Sequence, residues 1–315
     1  MEIYDQIYRK MCNLYNLINR SVLKNVPHIN GAVFKIYSSI VNLKPIHKSL
    51  PKRQDEYLKD TVVSLTSYGE RVNTVSTTIY TLIKQSLQPE KIVLWLARDE
   101  FKNGVIDLPD HLISLLEECD WFDIMFCDDL KSHKKYFYAM KMWPEKTIIT
   151  TDDDVFYPTN WLQSLYEAHS KNHKCVICNV ARQMTIDTNG ILAPYETWDE
   201  VKKSSGPSIM LCPIGVGGVL YPPDSLKKEY LFDEKFIRNN CFNADDLWLK
   251  MMGVMKGTLV VRTGAYTYPF LEVKGTSKNK LSSSNVLENK NDIQLRNIIS
   301  RFNDEIREEL CENRL

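Results

Sequence analysis

Nowhere does this sequence gather the roughly 18 consecutive apolar residues that a membrane-spanning helix requires, and its opening residues show no apolar core of a secretory signal. Charge of one sign is not in excess either. Lys+Arg and Asp+Glu both number 40, so no global field favours nucleic acid as a partner. Two phosphate-binding signatures are also missing: neither G-x-G-x-x-G nor G-x-x-x-x-G-K-[ST] occurs, which argues against a dinucleotide fold and a P-loop kinase. Any bound phosphate would have to be held by a metal or by Lys and Arg. Cysteine is present without a framework. The eight, from Cys12 to Cys311, are scattered, and reduced thiols in a cytosolic chain are the expectation. Cys175 and Cys178 form a C-x-x-C with an apolar spacer and no second pair. Period-two geometry puts them on opposite faces of a strand, a poor start for a zinc or redox site.

What is present is an ordinary globular composition, with 43% hydrophobic and 25% charged residues, enough for one large domain or two small ones. Residues 1–59 lack an α/β rhythm. Ile3, Ile7, Met11, Leu14, Tyr15 and Ile18 recur at helical spacing, and Val33, Phe34, Ile36, Tyr37, Ile40 and Val41 predict a second helix. Ten basic residues stand in this segment against four acids. A basic amphipathic extension either lies on an anionic membrane surface or packs on the core or another subunit. Pro45, Pro51 and the polar run to Asp60 read as a linker.

From residue 60 the pattern changes. Thr61 to Thr66 is a strand, Val72 to Ile83 a helix face, and Lys91 to Ala97 a nearly all-apolar strand of the kind a doubly covered parallel sheet contains. Asp110 to Glu118 reads as a helix, Phe122 to Cys127 as a strand, Lys134 to Trp143 as a short helix and Lys146 to Thr150 as a fourth strand. This alternation predicts an α/β, doubly wound, mainly parallel sheet whose ligands gather at the carboxyl ends of the strands. The fourth strand delivers Asp152, Asp153 and Asp154 to that edge. Adjacent acids repel unless a cation sits among them, and their hard oxygens suit Mg²⁺ or Mn²⁺. Capping of the helix over Thr159 to His169 is the plainer alternative, but one acid would suffice and Pro158 separates the two.

Arg71, after the first strand, could fork onto a phosphate, and Lys134 with Lys135 could neutralise a diphosphate. A glycine-rich loop runs from Pro213 to Pro223, where Gly217 and Gly218 carry no side chain to obstruct a ligand. Asn243-Ala244-Asp245-Asp246 opens a further helix, with Asn243 as its expected N-cap. Two adjacent carboxylates in a cleft can raise one pKa towards neutrality. Trp95 and Trp248 sit inside apolar runs and read as core, whereas Trp198, beside Tyr195 and Glu196, is the candidate for stacking on a sugar. Thr258 to Val261 reads as the last strand, Lys274 to Asn285 as a mobile loop, and Ile293 to Leu310 as a final helix.

Taken together, Ser64-Leu65-Thr66-Ser67-Tyr68 with Arg71, Ile92 to Leu96, Thr151-Asp152-Asp153-Asp154-Val155, Gly215 to Pro223 and Asn243 to Leu249 resemble the bacterial glycosyltransferases of the GT-A fold. The similarity is to surface-polysaccharide transferases (capsule, lipopolysaccharide) related to glycosyltransferase family 2. It implies a Rossmann-like nucleotide-sugar domain over residues 60–275, after the helical extension of 1–59 and before a mobile loop and helix over 276–315. The implied reaction moves a sugar, from a UDP-sugar as first choice, to a hydroxyl of a glycan or lipid-linked glycan. The enzyme would be cytoplasmic or peripheral on the cytoplasmic membrane face. By the same resemblance Asp152 and Asp154 form the D-x-D motif that binds ribose and Mn²⁺ or Mg²⁺, with Asp153 turned to the opposite face. Thr66, Ser67, Arg71, Asp128, Lys134, Lys135, Asp153, Gly217, Gly218 and Trp198 would line the nucleotide-sugar site. Asp246, before Asp245, would accept the acceptor's proton in an inverting reaction. Related enzymes supply a metal-binding His late in the chain, but none follows His173 here, leaving Asn291 or Asp292 as substitutes. Two other readings stay open: a noncatalytic nucleotide-sugar-binding or scaffold module, and a HAD-type phosphatase, against which Phe156 and the strands preceding the motif both count.

Overall fold

The computed structural model describes residues 3–21, 23, 26, 28–43, 50–186, 192–276 and 290–312. Two helices, α1 (Ile3–Arg20) and α2 (Ile29–Asn42), precede the sheet. Five elements then alternate as expected: β1 (Leu58–Thr66), α3 (Val72–Ile83), β2 (Pro89–Ala97), α4 (Asp110–Glu118) and β3 (Phe122–Cys127). Next come α5 (Lys134–Met142), β4 (Thr147–Thr150), α6 (Trp161–His169) and β5 (Val176–Cys178). Four short strands follow, β6 (Ala181–Gln183), β7 (Asp199–Glu200), β8 (Ser205–Ser208) and β9 (Leu211–Pro213), then β10 (Val219–Tyr221). The chain continues through α7 (Lys228–Leu231), α8 (Glu234–Asn240), α9 (Asp245–Val254) and β11 (Val260–Arg262) to a last helix, Lys290–Glu312.

Eight strands form one sheet in the order β3-β2-β1-β4-β10-β5-β11-β8. The four strands from β3 to β4 run parallel; β10 lies antiparallel between β4 and β5, and β11 returns parallel to β5. The result is the expected mixed, mainly parallel α/β sheet. A second, three-stranded sheet has the order β7-β6-β9. Its strands have two or three residues each, too few for periodicity to reveal.

Alternation along β1 explains the layering. Val63 and Leu65 face the side covered by α3, α4 and α6, while Val62 faces α5 with Trp95 and Ile148. Trp95 and Trp248 are core residues, as read from the sequence. The N-terminal helices close a separate cluster in which Tyr4, Ile7, Met11 and Val41 pack on Phe156, Leu271 and Val273. Among the described residues no helix is long and apolar enough to cross a membrane. The loop expected from Lys274 to Asn285 lies largely outside the described residues.

Candidate functional site

The sheet's carboxyl edge is built where β1 and β4 run side by side. Ser64 pairs with Thr150, and Thr151 N–H donates to Ser64 O at 3.0 Å, so the loop after β1 faces the acid triplet after β4. Thr78 on α3, fully buried, braces the triplet's backbone by donating to the carbonyls of Asp153 (2.9 Å) and Val155 (3.0 Å). Tyr157 accepts from Asp152 N–H through its hydroxyl at 3.0 Å.

The cations that three adjacent acids demand come from the protein. Arg71 Nη2 lies 2.5 Å from Asp153 Oδ1 and 2.8 Å from Asp154 Oδ2, and Ser67 Oγ donates to Asp153 Oδ2 at 2.6 Å. Burial, with Asp154 alongside, pushes the Asp153 carboxyl up to about 7 despite Arg71. Lys135, almost wholly buried, reaches Asp152 Oδ1 at 2.8 Å and Asp245 Oδ2 at 3.0 Å. That ammonium joins the end of β4 to the start of α9 across more than ninety residues of sequence. Burial alone would raise Asp245, but Lys135 and His133 hold it below its ordinary value. Its neighbour Asp246 goes the other way: burial and the Asp245 charge push it up to about 7. The two carboxylates are thus split as an acid–base pair requires.

These groups open into one cavity of about 560 Å³, a size typical of ligand sites. Its wall includes Thr66, Ser67, Arg71, Lys134, Lys135, all three triplet acids, Asp245 and Asp246. Thr66 Oγ1 donates to Trp95 O at 2.8 Å. Asn291 also lines the cavity. Asp292 instead accepts from Tyr195 N–H at 2.6 Å, a bond that ties the last helix to a loop.

Several sequence expectations are corrected. Asp153 lines the same cavity as its neighbours, because 152–154 lie beyond the end of β4, where strand alternation no longer applies. Asp128 is exposed and outside the cavity wall; Asp129 is the acid that engages Lys134, at 2.7 Å. Trp198 is buried, donating its indole N–H to Ala193 O at 3.0 Å, and the cavity is lined by Tyr195 with Arg182 stacked over its ring. Gly217 and Gly218 are not among the residues that line the cavity. A Cβ at 217 would meet Val180, and Gly218, at φ 79°, lies against the Trp161 ring. Asn243 is not the N-cap of α9; that position is Ala244, and Asn243 N–H donates to Gln294 at 2.8 Å.

Gly215, not singled out beforehand, is the glycine the site uses. Its N–H donates to Asp246 Oδ2 at 2.8 Å, and a Cβ there would sit 2.9 Å from Asp246 Oδ1 and 3.1 Å from Lys135 Nζ.

The donor chemistry fits a divalent cation in a particular way. No group of three His, Cys, Asp or Glu side chains converges among the described residues. Mg²⁺ needs no such cage when it binds with a substrate's phosphates, since one or two carboxylates and water complete its shell. Asp152 and Asp154 could serve so, sharing their charge with Lys135 and Arg71. Two buried atoms of the wall, Arg71 Nε and Thr151 Oγ1, have no hydrogen-bond partner among the described residues.

No family model matches the chain, and no curated protein matches it. Among solved structures, S. aureus TarS 1–349 in complex with UDP is similar over 66% of this chain and 59% of that chain, with TM-score 0.45 and 13% identity. TarS 1–349 in complex with UDP-GlcNAc is similar over 66% and 57%, with TM-score 0.41 and 12% identity. The chain therefore spans less than two thirds of the length of either.

Proposed function

We propose that the protein is a glycosyltransferase that moves a sugar from a nucleoside-diphosphate donor, a UDP-sugar first, to a hydroxyl of a glycan or lipid-linked glycan. The observation that carries this reading is the Lys135 bridge: one buried ammonium links the triplet acid Asp152 to Asp245, beside Asp246, inside a single cavity. Such a site brings a diphosphate-binding edge and a basic carboxylate within one substrate's reach.

In the proposed inverting step, the acceptor oxygen forms a bond to the anomeric carbon as the bond from that carbon to the phosphate oxygen breaks. The bonding electrons leave with the nucleoside diphosphate, and the acceptor proton passes to Asp246. Its pKa near neutrality supports that role, since a base works best near the operating pH. Gly215 N–H orients the carboxylate that receives the proton. Arg71, with its unsatisfied Nε, and Lys135 hold positive charge where the diphosphate gathers its own. A Mg²⁺ or Mn²⁺ held by Asp154 and Asp152 would supply Lewis-acid stabilisation of the leaving group. On this reading the enzyme is cytoplasmic and acts in surface-polysaccharide synthesis.

The test is to incubate the protein with a panel of UDP- and other nucleotide sugars, Mn²⁺ and short glycan acceptors, measuring nucleotide release. Acceptor-dependent release from one donor supports the proposal. A folded protein that releases nucleotide from none of them argues against it.

A further inference from the structure

Helix α2 buries Val33 and Val41 but turns a second apolar face outward. Ala32, Ile36, Ile40 and Leu43 fall within one stripe at helical spacing, and Ile36, Ile40 and Leu43 remain 57%, 38% and 80% exposed. Leu17 on α1, with Leu23 and Val26 between the helices, is also exposed. Water gains nothing from these side chains, and among the described residues no element covers them.

Charge says what does. Between Asp5 and Asp55 the sequence contains no acid, while nine Lys and Arg residues fall in that stretch: Arg9, Lys10, Arg20, Lys24, Lys35, Lys44, Lys48, Lys52 and Arg53. Because the whole chain is neutral, the remainder is correspondingly acidic. A second copy would carry the same excess of basic residues in this segment, so self-association through it is electrostatically disfavoured. Aliphatic side chains flanked by cations match the boundary between anionic headgroups and acyl chains.

The same helices grip the wall of the cavity. Tyr8 donates its hydroxyl to Thr267 O at 2.6 Å, Asn42 Nδ2 to Glu272 O at 2.9 Å, and Lys274 N–H to Asn42 Oδ1 at 2.8 Å. Tyr268, Phe270 and Glu272 of this strap line the cavity, and Val273 N–H donates to Asp154 O at 2.8 Å.

We infer that α1 and α2 form an interfacial anchor that lies on an anionic lipid surface through Ile36, Ile40 and Leu43 with the exposed Lys10 and Lys35, the cavity's strap being held to the same helices. This inference does not depend on the transfer reaction, and its test reads binding alone. The full chain is co-sedimented with vesicles of phosphatidylcholine containing phosphatidylglycerol, and with vesicles of phosphatidylcholine only. Binding is expected to the anionic vesicles and to weaken with salt. The triple change Ile36→Ser, Ile40→Ser, Leu43→Ser should lower affinity roughly tenfold or more, since it removes three inserted aliphatic side chains. Those residues are exposed, so its melting temperature should match wild type. Lys10→Glu with Lys35→Glu, both at exposed positions, gives a second, electrostatic arm that should also weaken binding. The inference is overturned if the protein pellets with neither vesicle, as it would were the surface reserved for an acidic protein. Binding unchanged in the triple variant overturns it too, as does a wild-type dimer in light scattering that the triple variant converts to monomer.

Discussion

The backbone N–H of Gly215 donates to Asp246 Oδ2 at 2.8 Å, and the space a Cβ would need at residue 215 is taken by that same carboxylate. A methyl group there must displace Asp246, Lys135 or both. Gly215→Ala is therefore predicted to lower turnover about 10- to 100-fold, the usual cost of moving a catalytic group by a fraction of an ångström to an ångström. Donor affinity, set mainly at the triplet, should stay within about threefold of wild type. Loss of both in parallel would show that the glycine is needed for the cavity as a whole.

Asp246 sits at about 7 because of burial and the charge of Asp245. A base must be deprotonated to act, so kcat should fall as pH drops below about 7 and level off above it. Lys135 and Asp152 face the same carboxylate, and their own charges enter its apparent value. Asp246→Asn should leave a low rate without that inflection. An unchanged profile in the asparagine variant would assign the titration to another group.

Lys135 neutralises two carboxylates at once, the buried Asp245 and the partly exposed Asp152. Lys135→Met would strand Asp152 and Asp245 without their cation, and removing one partner of a buried ion pair costs about 3–5 kcal/mol. The sign with pH follows from Asp245, which Lys135 holds below its ordinary value. Wild type keeps that stabilisation above the unfolded carboxyl pKa and loses it as pH falls through the depressed value. Denaturant melts should accordingly show the deficit of the variant shrinking as the pH is lowered from neutrality. A constant deficit would mean that the lysine acts by packing.

Lys250 offers a test away from the site. Buried, with its amine 2.6 Å from Ile209 O, it is lowered by burial from 10.5 to about 8. Between those values the unfolded chain binds more protons, so this group makes stability rise with pH in that window. The stability of wild type minus that of Lys250→Met should increase across it. A flat difference would contradict the assignment of a depressed lysine.

What was legible in the sequence is what periodicity and charge encode locally. The bounds of α4 and β3 agree with their patterns end to end, and the acid triplet arrives at the sheet edge where a buried strand had to deliver it. Contacts between distant segments were not legible. Nothing near Lys135 announces Asp245, and Gly218 reads like a ligand-facing glycine until Trp161 is seen against it. Trp198 reads as exposed because its neighbours Glu196 and Thr197 are polar, yet those neighbours are exposed while the indole turns inward. A one-residue difference separates Asp128 from Asp129, and composition cannot choose between two adjacent acids.

The most direct measurement of the central claim is calorimetric titration of UDP into wild type and Asp154→Ala, with and without Mn²⁺. The account predicts saturable binding to wild type that strengthens with Mn²⁺ and loses that metal dependence in the variant. Failure of a folded wild type to bind UDP or any other nucleoside diphosphate, or binding indifferent to both Mn²⁺ and Asp154, would contradict it.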